Sequence, residues 1–403
     1  MLVTAIAAAT LCGCKKGGGE EKVTPGAQPT GTPTVTGTVE LPFTTEEYNE
    51  AKMLQELVEK RLLPAMEKRI PSAEGIFVEK LPQQGAYGER LHLAAVTADG
   101  ITGELVSEGL FRYGADGTIE PNVAKSYTVN SDFTVYTISL REGMRWSDGV
   151  PFTADDVLFF YDKMYRTNAF GAGDWSCFTA KKPAGGTAAA VLNKVDNMTF
   201  TVTFSGTKPE FLKELIAQGG ICFAPEHYYV NLLPEYMGED AALAKAKDMG
   251  YKDTAEMLRD TVLNAWNIPG IPTVNAYLLS EEEGADDVTG NYYEFVRNPY
   301  YWKLDESGKQ LPYLDVLEFT RISDESQGVL LTTEGYLSVS RVATGQLDTV
   351  RAGAARGNYR VVEWSGYGAF AVNNSLQNFP DSPPYDAAGK GLGAAKPYGW
   401  FFR

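Results

Sequence analysis

The residues from Arg141 to Phe160, REGMRWSDGVPFTADDVLFF, constrain the fold more than any other stretch, because a strand end, a tight turn and a helix start must all fit within them. The residues just before, Thr134 to Leu140, alternate with the period of two that a half-buried strand requires. Ser147-Asp148-Gly149 is turn chemistry: Asp bonds its own backbone and Gly accepts positive φ. Pro151 fixes the exit from that turn. Thr153 stands at an N-cap position, with Asp156 three residues on as the acid of a capping box. Phe152 and Val157 are spaced to close a hydrophobic staple. Asp155 and Asp156 fall in the first helical turn, where carboxylates meet the helix dipole favourably. Val157, Phe160, Tyr161 and Met164 follow at i, i+3, i+4 and i+7, one apolar face. The three aspartates are therefore read as turn and cap, with no catalytic residue among them.

On either side the pattern alternates between strand and helix. Thr44 to Arg69 reads as a helix opened by a Thr44–Glu47 capping box and broken by Pro64. Arg90 to Val96 reads as a strand with His92 on one face, not as a ligand. Leu105 to Tyr113 reads as a short helix leading to a strand. Tyr127 to Leu140 is a hairpin turning at Asn130-Ser131-Asp132, and Val191 to Phe204 is another around Asp196-Asn197. Glu235 to Leu263 is helix-rich. Strands are expected at Tyr292–Arg297, Val316–Ile322, Arg360–Trp364 and Ala369–Val372, and a helix at Leu337–Thr344.

The N-terminus carries a different kind of signal. Leu2 to Leu11 is a short apolar run, too short for a membrane span and suited to a signal-peptide core. Leu11-Cys12-Gly13-Cys14 follows it and resembles the bacterial lipobox. That resemblance implies cleavage before Cys14 and acylation of Cys14, although no Lys or Arg precedes the apolar run. Residues 15–40, rich in Gly, Thr and Pro, read as a tether with a reach of about 27 Å. The net charge of −16 argues against nucleic acid as a partner. The only two histidines, His92 and His227, have no ligand spacing, which argues against a metal site or metal cofactor. Cys177 and Cys222 are read either as one disulfide or as two buried thiols.

Several blocks together resemble the bacterial extracellular solute-binding proteins of family 5, the oligopeptide-binding type of ABC transporter receptor. Pro121 to Tyr127 is similar to one family segment, and Thr134 to Trp146 with Ser147-Asp148-Gly149 and Pro151 to Val157 to its most recognisable signature. Arg297 to Trp302 with Gln310 to Asp315 is similar to a second block, and Gly345-Gln346-Leu347-Asp348 to a helix-ending motif. Met53 to Pro71 and Tyr87-Gly88 resemble the N-terminal extension of one branch, with Glu89 where that branch has a second glycine.

The resemblance implies an α/β fold: a lobe of the periplasmic-binding-protein type II kind with an inserted β-rich subdomain. The family's Phe-Arg-x-Ala-Leu segment, which opens a second lobe, does not occur before Arg403. The expected organisation is a signal peptide at 1–14, a tether at 15–40, a solute-binding lobe with its inserted subdomain at 41–375, and the start of a lobe crossing at 376–403. The second lobe is then largely missing, and the 403-residue chain is expected to bind solute weakly or not at all. The implied function is a membrane-anchored receptor that captures oligopeptides and delivers them to permease subunits of an importer. An oligosaccharide receptor of the same family is the first alternative, and a secreted hydrolase or a sensory binding protein are further ones. No G-x-S-x-G or H-E-x-x-H supports the hydrolase. Expected ligand contacts are Trp175, Trp364, Asn373 and Asn374, with core packing as the other reading of each Trp and turn chemistry as that of the Asn pair. Ala94 to Asp99 is expected to form cleft wall.

Overall fold

The computed structural model describes residues 41–44, 48–81, 84–95, 108–114, 117–167, 176–217, 222–280, 292–364 and 368–375. Residues 1–40, Cys14 among them, Glu47, Trp175 and residues 376–403 lie outside them. The first helix, α1 (Lys52–Glu59), buries only Leu54 and stops well before Pro64. Arg61 takes φ 60°, a left-handed conformation that ends helical propagation. A short strand, β1 (Phe77–Glu79), then pairs in parallel with residues Lys303–Asp305.

Next comes β2 (Gly88–Ala95), which buries Leu91, Leu93 and Ala95 and turns Arg90, His92 and Ala94 outward. The hairpin β3 (Phe111–Tyr113) and β4 (Ile119–Pro121) leads to the expected longer one, β5 (Ala124–Val129) and β6 (Val135–Leu140). Asn130 closes that turn, its Oδ1 accepting from the amides of Thr134 and Val135. Helix α2 (Ala154–Phe159) begins as its sequence requires. Thr153 Oγ1 accepts from the Asp155 amide at 3.2 Å, and the Asp156 carboxylate accepts from the Thr153 amide at 2.9 Å. The helix widens into a π-helical turn over Phe160–Tyr165, and Val157, Phe160, Tyr161 and Met164 are all buried.

Strands β7 (Thr179–Lys181) and β8 (Thr187–Ala189) form a small hairpin, and β9 (Val191–Lys194) and β10 (Thr199–Thr203) the one expected around Asp196-Asn197. With β5 and β6 these last two make an antiparallel sheet in the order β5-β6-β10-β9. Helices α3 (Phe211–Ala217), α4 (Glu226–Tyr229), α5 (Pro234–Met237), α6 (Glu239–Asp248) and α7 (Thr254–Leu263) follow.

The chain then returns to β2. Strands β11 (Tyr277–Leu279), β12 (Tyr292–Arg297), β13 (Lys303–Asp305) and β14 (Leu314–Arg321) come in sequence. The central sheet has the order β11-β12-β14-β2, with β14 and β2 parallel. One apolar core joins both four-stranded sheets and includes Trp146, Phe160, Phe200, Phe295 and Trp302. Charge is buried beside it. The Lys303 ammonium, fully buried, meets Glu108 at 2.9 Å, and Arg112 grips Glu79 with two parallel bonds.

Past β14 the expectation and the structure part. Leu337–Thr344 is not a helix. The helix lies earlier, α8 (Glu325–Thr333), started by Asp324, whose carboxylate accepts from the Ser326 and Gln327 amides. It stops at Gly335, φ 79°, where the Gly335 amide donates to Thr332 and the Tyr336 amide to Leu331, a left-handed glycine cap. The segment read as helix is β15 (Val339–Val342), paired antiparallel with the later strand Gly368–Asn373. Periodicity alone does not separate a short buried strand from a helix, and here the pairing partner decides. Helix α9 (Leu347–Gly353) and strands β16 (Tyr359–Trp364) and β17 (Gly368–Asn373) complete a three-stranded sheet ordered β15-β17-β16. Ser338 couples it to the central sheet, its amide donating to the His92 carbonyl at 2.7 Å and its hydroxyl accepting from the His92 amide at 2.9 Å.

Candidate functional site

In open α/β sheets, ligands bind beyond the carboxyl ends of parallel strands. Here that place is set by the parallel pair β2 and β14. Ala95 and Arg321 are in register at its end, and the Ile322 amide donates to the Ala95 carbonyl at 3.0 Å. One step back Ala94 faces Thr320, and Tyr292 of β12 faces Thr320 from the other side. Arg321 is exposed and has no ion pair among the described residues. Residues 96–107, which follow β2, contain most of the expected cleft wall and lie outside the described residues.

The outer face of the same strands is charged. Arg90 pairs with both Glu294 and Glu318, and His92 Nδ1 stands 2.9 Å from the same Glu318. His92 is thus a strand-face residue, as its alternation with Leu91 and Leu93 implies.

The stretch from Arg141 to Phe160 is a junction. The Ser147 amide donates to the Thr273 carbonyl, and the Thr273 amide donates back to Ser147 Oγ. Asp148 Oδ2 stands 2.7 Å from His227 Nε2, at the start of α4. Gly149 takes φ 90°, and a Cβ there would fall 2.8 Å from the Tyr300 hydroxyl. Asp155 pairs with Lys194 at 2.7 Å. Asp156 is buried and accepts from the amides of Thr153 and Glu226. Burial pushes its carboxyl up to about 6, against the opposing pull of those two amides, the Trp146 indole and His227. Each of the three carboxylates thus meets a partner from another segment.

Beside the junction lies a pocket of about 490 Å³, counting its open mouth, lined by Trp146, Phe223, Tyr229, Trp266, Pro272 and Asn275 among others. Glu108 reaches its wall, held by Lys303 Nζ, the Tyr301 hydroxyl and Asn122 Nδ2. The Trp266 ring stacks on Phe295 at 6.2 Å. The pocket offers aromatic faces and one anchored carboxylate.

Of the residues singled out from sequence, three lie on or beside one hairpin. Trp364 pairs with Gly368 at one end of the β16–β17 ladder, and Asn373 pairs with Tyr359 at the other, about 17 Å away at 3.4 Å per residue. Asn373 Oδ1 accepts from the Ser375 amide and hydroxyl at 2.9 and 2.7 Å, and its Nδ2 donates to the Gly335 carbonyl. Asn374 binds Asn358 through both its amide and its side chain. The Ser375 bonds are turn chemistry, and those to Gly335 and Asn358 reach other segments. Trp175 and Cys14 lie outside the described residues. Arg321 was not singled out, although it falls within the strand expected over Val316–Ile322. The pocket left no signal, because its walls come from five separated segments.

Comparison with known proteins adds the family level. The model of bacterial extracellular solute-binding proteins, family 5, middle region, matches residues 118–388. The periplasmic alpha-galactoside-binding protein of Rhizobium meliloti is 33% identical over 199 residues, 49% of this chain and 25% of that protein. The periplasmic oligopeptide-binding protein OppA of Escherichia coli is 32% identical over 246 residues, 58% of this chain and 38% of that protein. Among solved structures, an oligopeptide-binding protein OppA superposes with a TM-score of 0.68 at 24% identity, covering 79% of this chain and 49% of its own. The periplasmic binding protein MelB of Agrobacterium fabrum, solved with stachyose, superposes at 0.58 and 22% identity, covering 83% of this chain and 52% of its own. These likenesses establish the mixed α/β fold of periplasmic binding proteins. The chain spans about half the length of the two solved structures.

Proposed function

The chain belongs to the bacterial extracellular solute-binding proteins of family 5, and from that membership we propose that it captures oligopeptides outside the cytoplasm and hands them to the permease of an ABC importer. The family match through the middle of the chain carries this reading, and the OppA relatives favour a peptide as solute. Family membership also favours binding over catalysis. A peptide needs donors and acceptors along its backbone and a cation for its terminal carboxylate. The exposed Arg321 guanidinium at the end of β14 supplies the second. Capture would proceed by hinge closure, with the loaded, closed form preferred by the permease. Trp175 and Trp364 as aromatic contacts and Asn373 and Asn374 as polar contacts stay in the proposal. Acylation of Cys14 would hold the receptor at the membrane surface. Among the described residues no helix is long and apolar enough to cross a membrane.

An oligosaccharide is the second reading, favoured by the alpha-galactoside-binding relative. The half-buried rings of Tyr292 and Trp266 would then stack on sugar faces. Saturation-transfer NMR reads weak as well as tight binding and separates the two. With peptides of three to six residues and with alpha-galactosides offered in turn, transfer to peptide supports the first reading. Transfer to the sugar alone replaces it with the second.

A further inference from the structure

Two buried thiols take no part in the candidate site. Cys177 sits in the turn Ser176–Phe178, and Cys222 leads into Phe223 and α4. Both segments pack on one helix, α2 with its π-helical extension. Phe178, next to Cys177, places its ring 5.3 Å from Tyr161 and 5.2 Å from Tyr165. Two residues past Cys222, the Ala224 amide donates to the Asp156 carbonyl at 3.2 Å, little more than a helical turn before Tyr161. The turn that holds Cys177 is also fastened to the region of α3. Lys208 Nζ donates to the Ser176 carbonyl at 3.0 Å and to Glu214 at 2.7 Å, and the Phe178 and Phe211 rings are 5.7 Å apart. The chain leaves α3 at Ala217 and reaches Cys222 five residues later. Burial pushes the Cys177 thiol up to about 12 and the Cys222 thiol well above its ordinary value. Both cysteines belong to one buried apolar core, and Cys177 adds to the shift at Cys222.

Family members work outside the cytoplasm, where disulfides form and persist. We propose that Cys177 and Cys222 form a disulfide when the chain folds under oxidising conditions, the dithiol form being the one described above. The inference takes only that location from the proposed function. The co-reactant is a low-molecular-weight disulfide such as oxidised glutathione. One cysteine thiolate attacks it and releases a glutathione thiolate, and the second cysteine thiolate then displaces the other glutathione from the mixed disulfide. The two protein thiols lose two electrons and two protons, and the oxidant disulfide becomes two thiols. Only the thiolate attacks, and both buried thiols keep their protons at neutral pH. The bond therefore forms before the core closes, and the folded dithiol resists the same oxidant.

The test uses the full chain with Cys12→Ser and Cys14→Ser, so that only two thiols are counted. The protein is refolded from urea with oxidised and reduced glutathione, or with reductant alone. It is then unfolded without reductant and alkylated. The expected result is no alkylated thiol after oxidising refolding, two after reducing refolding, and a tryptic cross-link joining the two cysteine peptides. Reduction is expected to lower the melting temperature, with C177S and C222S matching the reduced form. The folded dithiol, held in the oxidising buffer for the same time, is expected to keep both thiols. Two alkylated thiols, or two glutathione adducts, after oxidising refolding to native circular dichroism would overturn the proposal. Should either variant fail to fold, the alkylation count on the parent chain still decides. Solute binding plays no part in the readout, so this proposal and the transport reading fail independently.

Discussion

Asp156→Asn should destabilise the protein more at pH 5 than at pH 7.5. The carboxyl is 5% exposed and its pKa is pushed up from 3.8 to about 6, chiefly by burial. A carboxyl raised in the folded state favours its protonated form there. Its stabilising contribution is present in full below the unfolded value and is lost as pH rises through about 6. For a single site with these two values, linkage gives a loss of about 1.4 kcal/mol between pH 5 and pH 7.5. The Asn variant lacks that term at both pH values. It also presents an NH₂ group where one of the Thr153 and Glu226 amides had an acceptor, a cost of about 1–3 kcal/mol that does not depend on pH. Urea unfolding followed by tryptophan fluorescence, on parent and variant at both pH values, isolates the difference, because every other group titrates in both proteins. The expected penalty is larger at pH 5 by about 1.4 kcal/mol. An equal penalty at the two pH values, or one that grows with pH, would refute the burial argument.

Three further substitutions probe other parts of the account. Phe160→Ala empties a fully buried site on the face shared by α2 and the core, and should cost about 3–5 kcal/mol in the same urea assay. Lys303→Met removes the ammonium that faces Glu108 inside the protein, leaving a buried carboxylate without its cation. A loss of about 3–5 kcal/mol is expected, and a neutral result would mean that Glu108 is protonated or solvated. Arg321→Ala should leave urea stability within about 0.5 kcal/mol, because the side chain is exposed and makes no ion pair among the described residues. Peptide binding, titrated by NMR line broadening, should weaken about tenfold or more if that guanidinium holds the terminal carboxylate.

The parts of the fold that were legible in the sequence are those settled by local chemistry. Thr153 and Asp156 are three residues apart, and a capping box needs nothing from elsewhere in the chain. Asn130 closes its own hairpin, and the last residues of Tyr292–Arg297 alternate, with Phe295 and Arg297 buried and Val296 between them less so. Legibility fails where the deciding partner is remote. Val339 to Val342 is a strand because Ala369 to Val372 lies beside it, and no window around residue 340 contains that information. The helix α1 ends at Glu59 because Arg61 turns left-handed, several residues before the proline that was read as the breaker. The candidate site was the least legible part. Arg321 enters the proposal through its place at the end of a parallel pair whose other strand lies more than two hundred residues earlier. Asn373 and Asn374 drew notice by their place near an expected lobe crossing, and their side chains bond Ser375 and Asn358.

The central claim is that a peptide binds at the carboxyl ends of β2 and β14. Photo-cross-linking with peptides that carry a benzophenone side chain, read by mass spectrometry, tests it most directly and tolerates weak affinity. The account predicts cross-links on peptides that contain Ala94, Ala95, Arg321 or Ile322, competed away by unlabelled peptide. Competable cross-links confined to the pocket beside Trp146 and Tyr229, or none above a scrambled-label control, would contradict it.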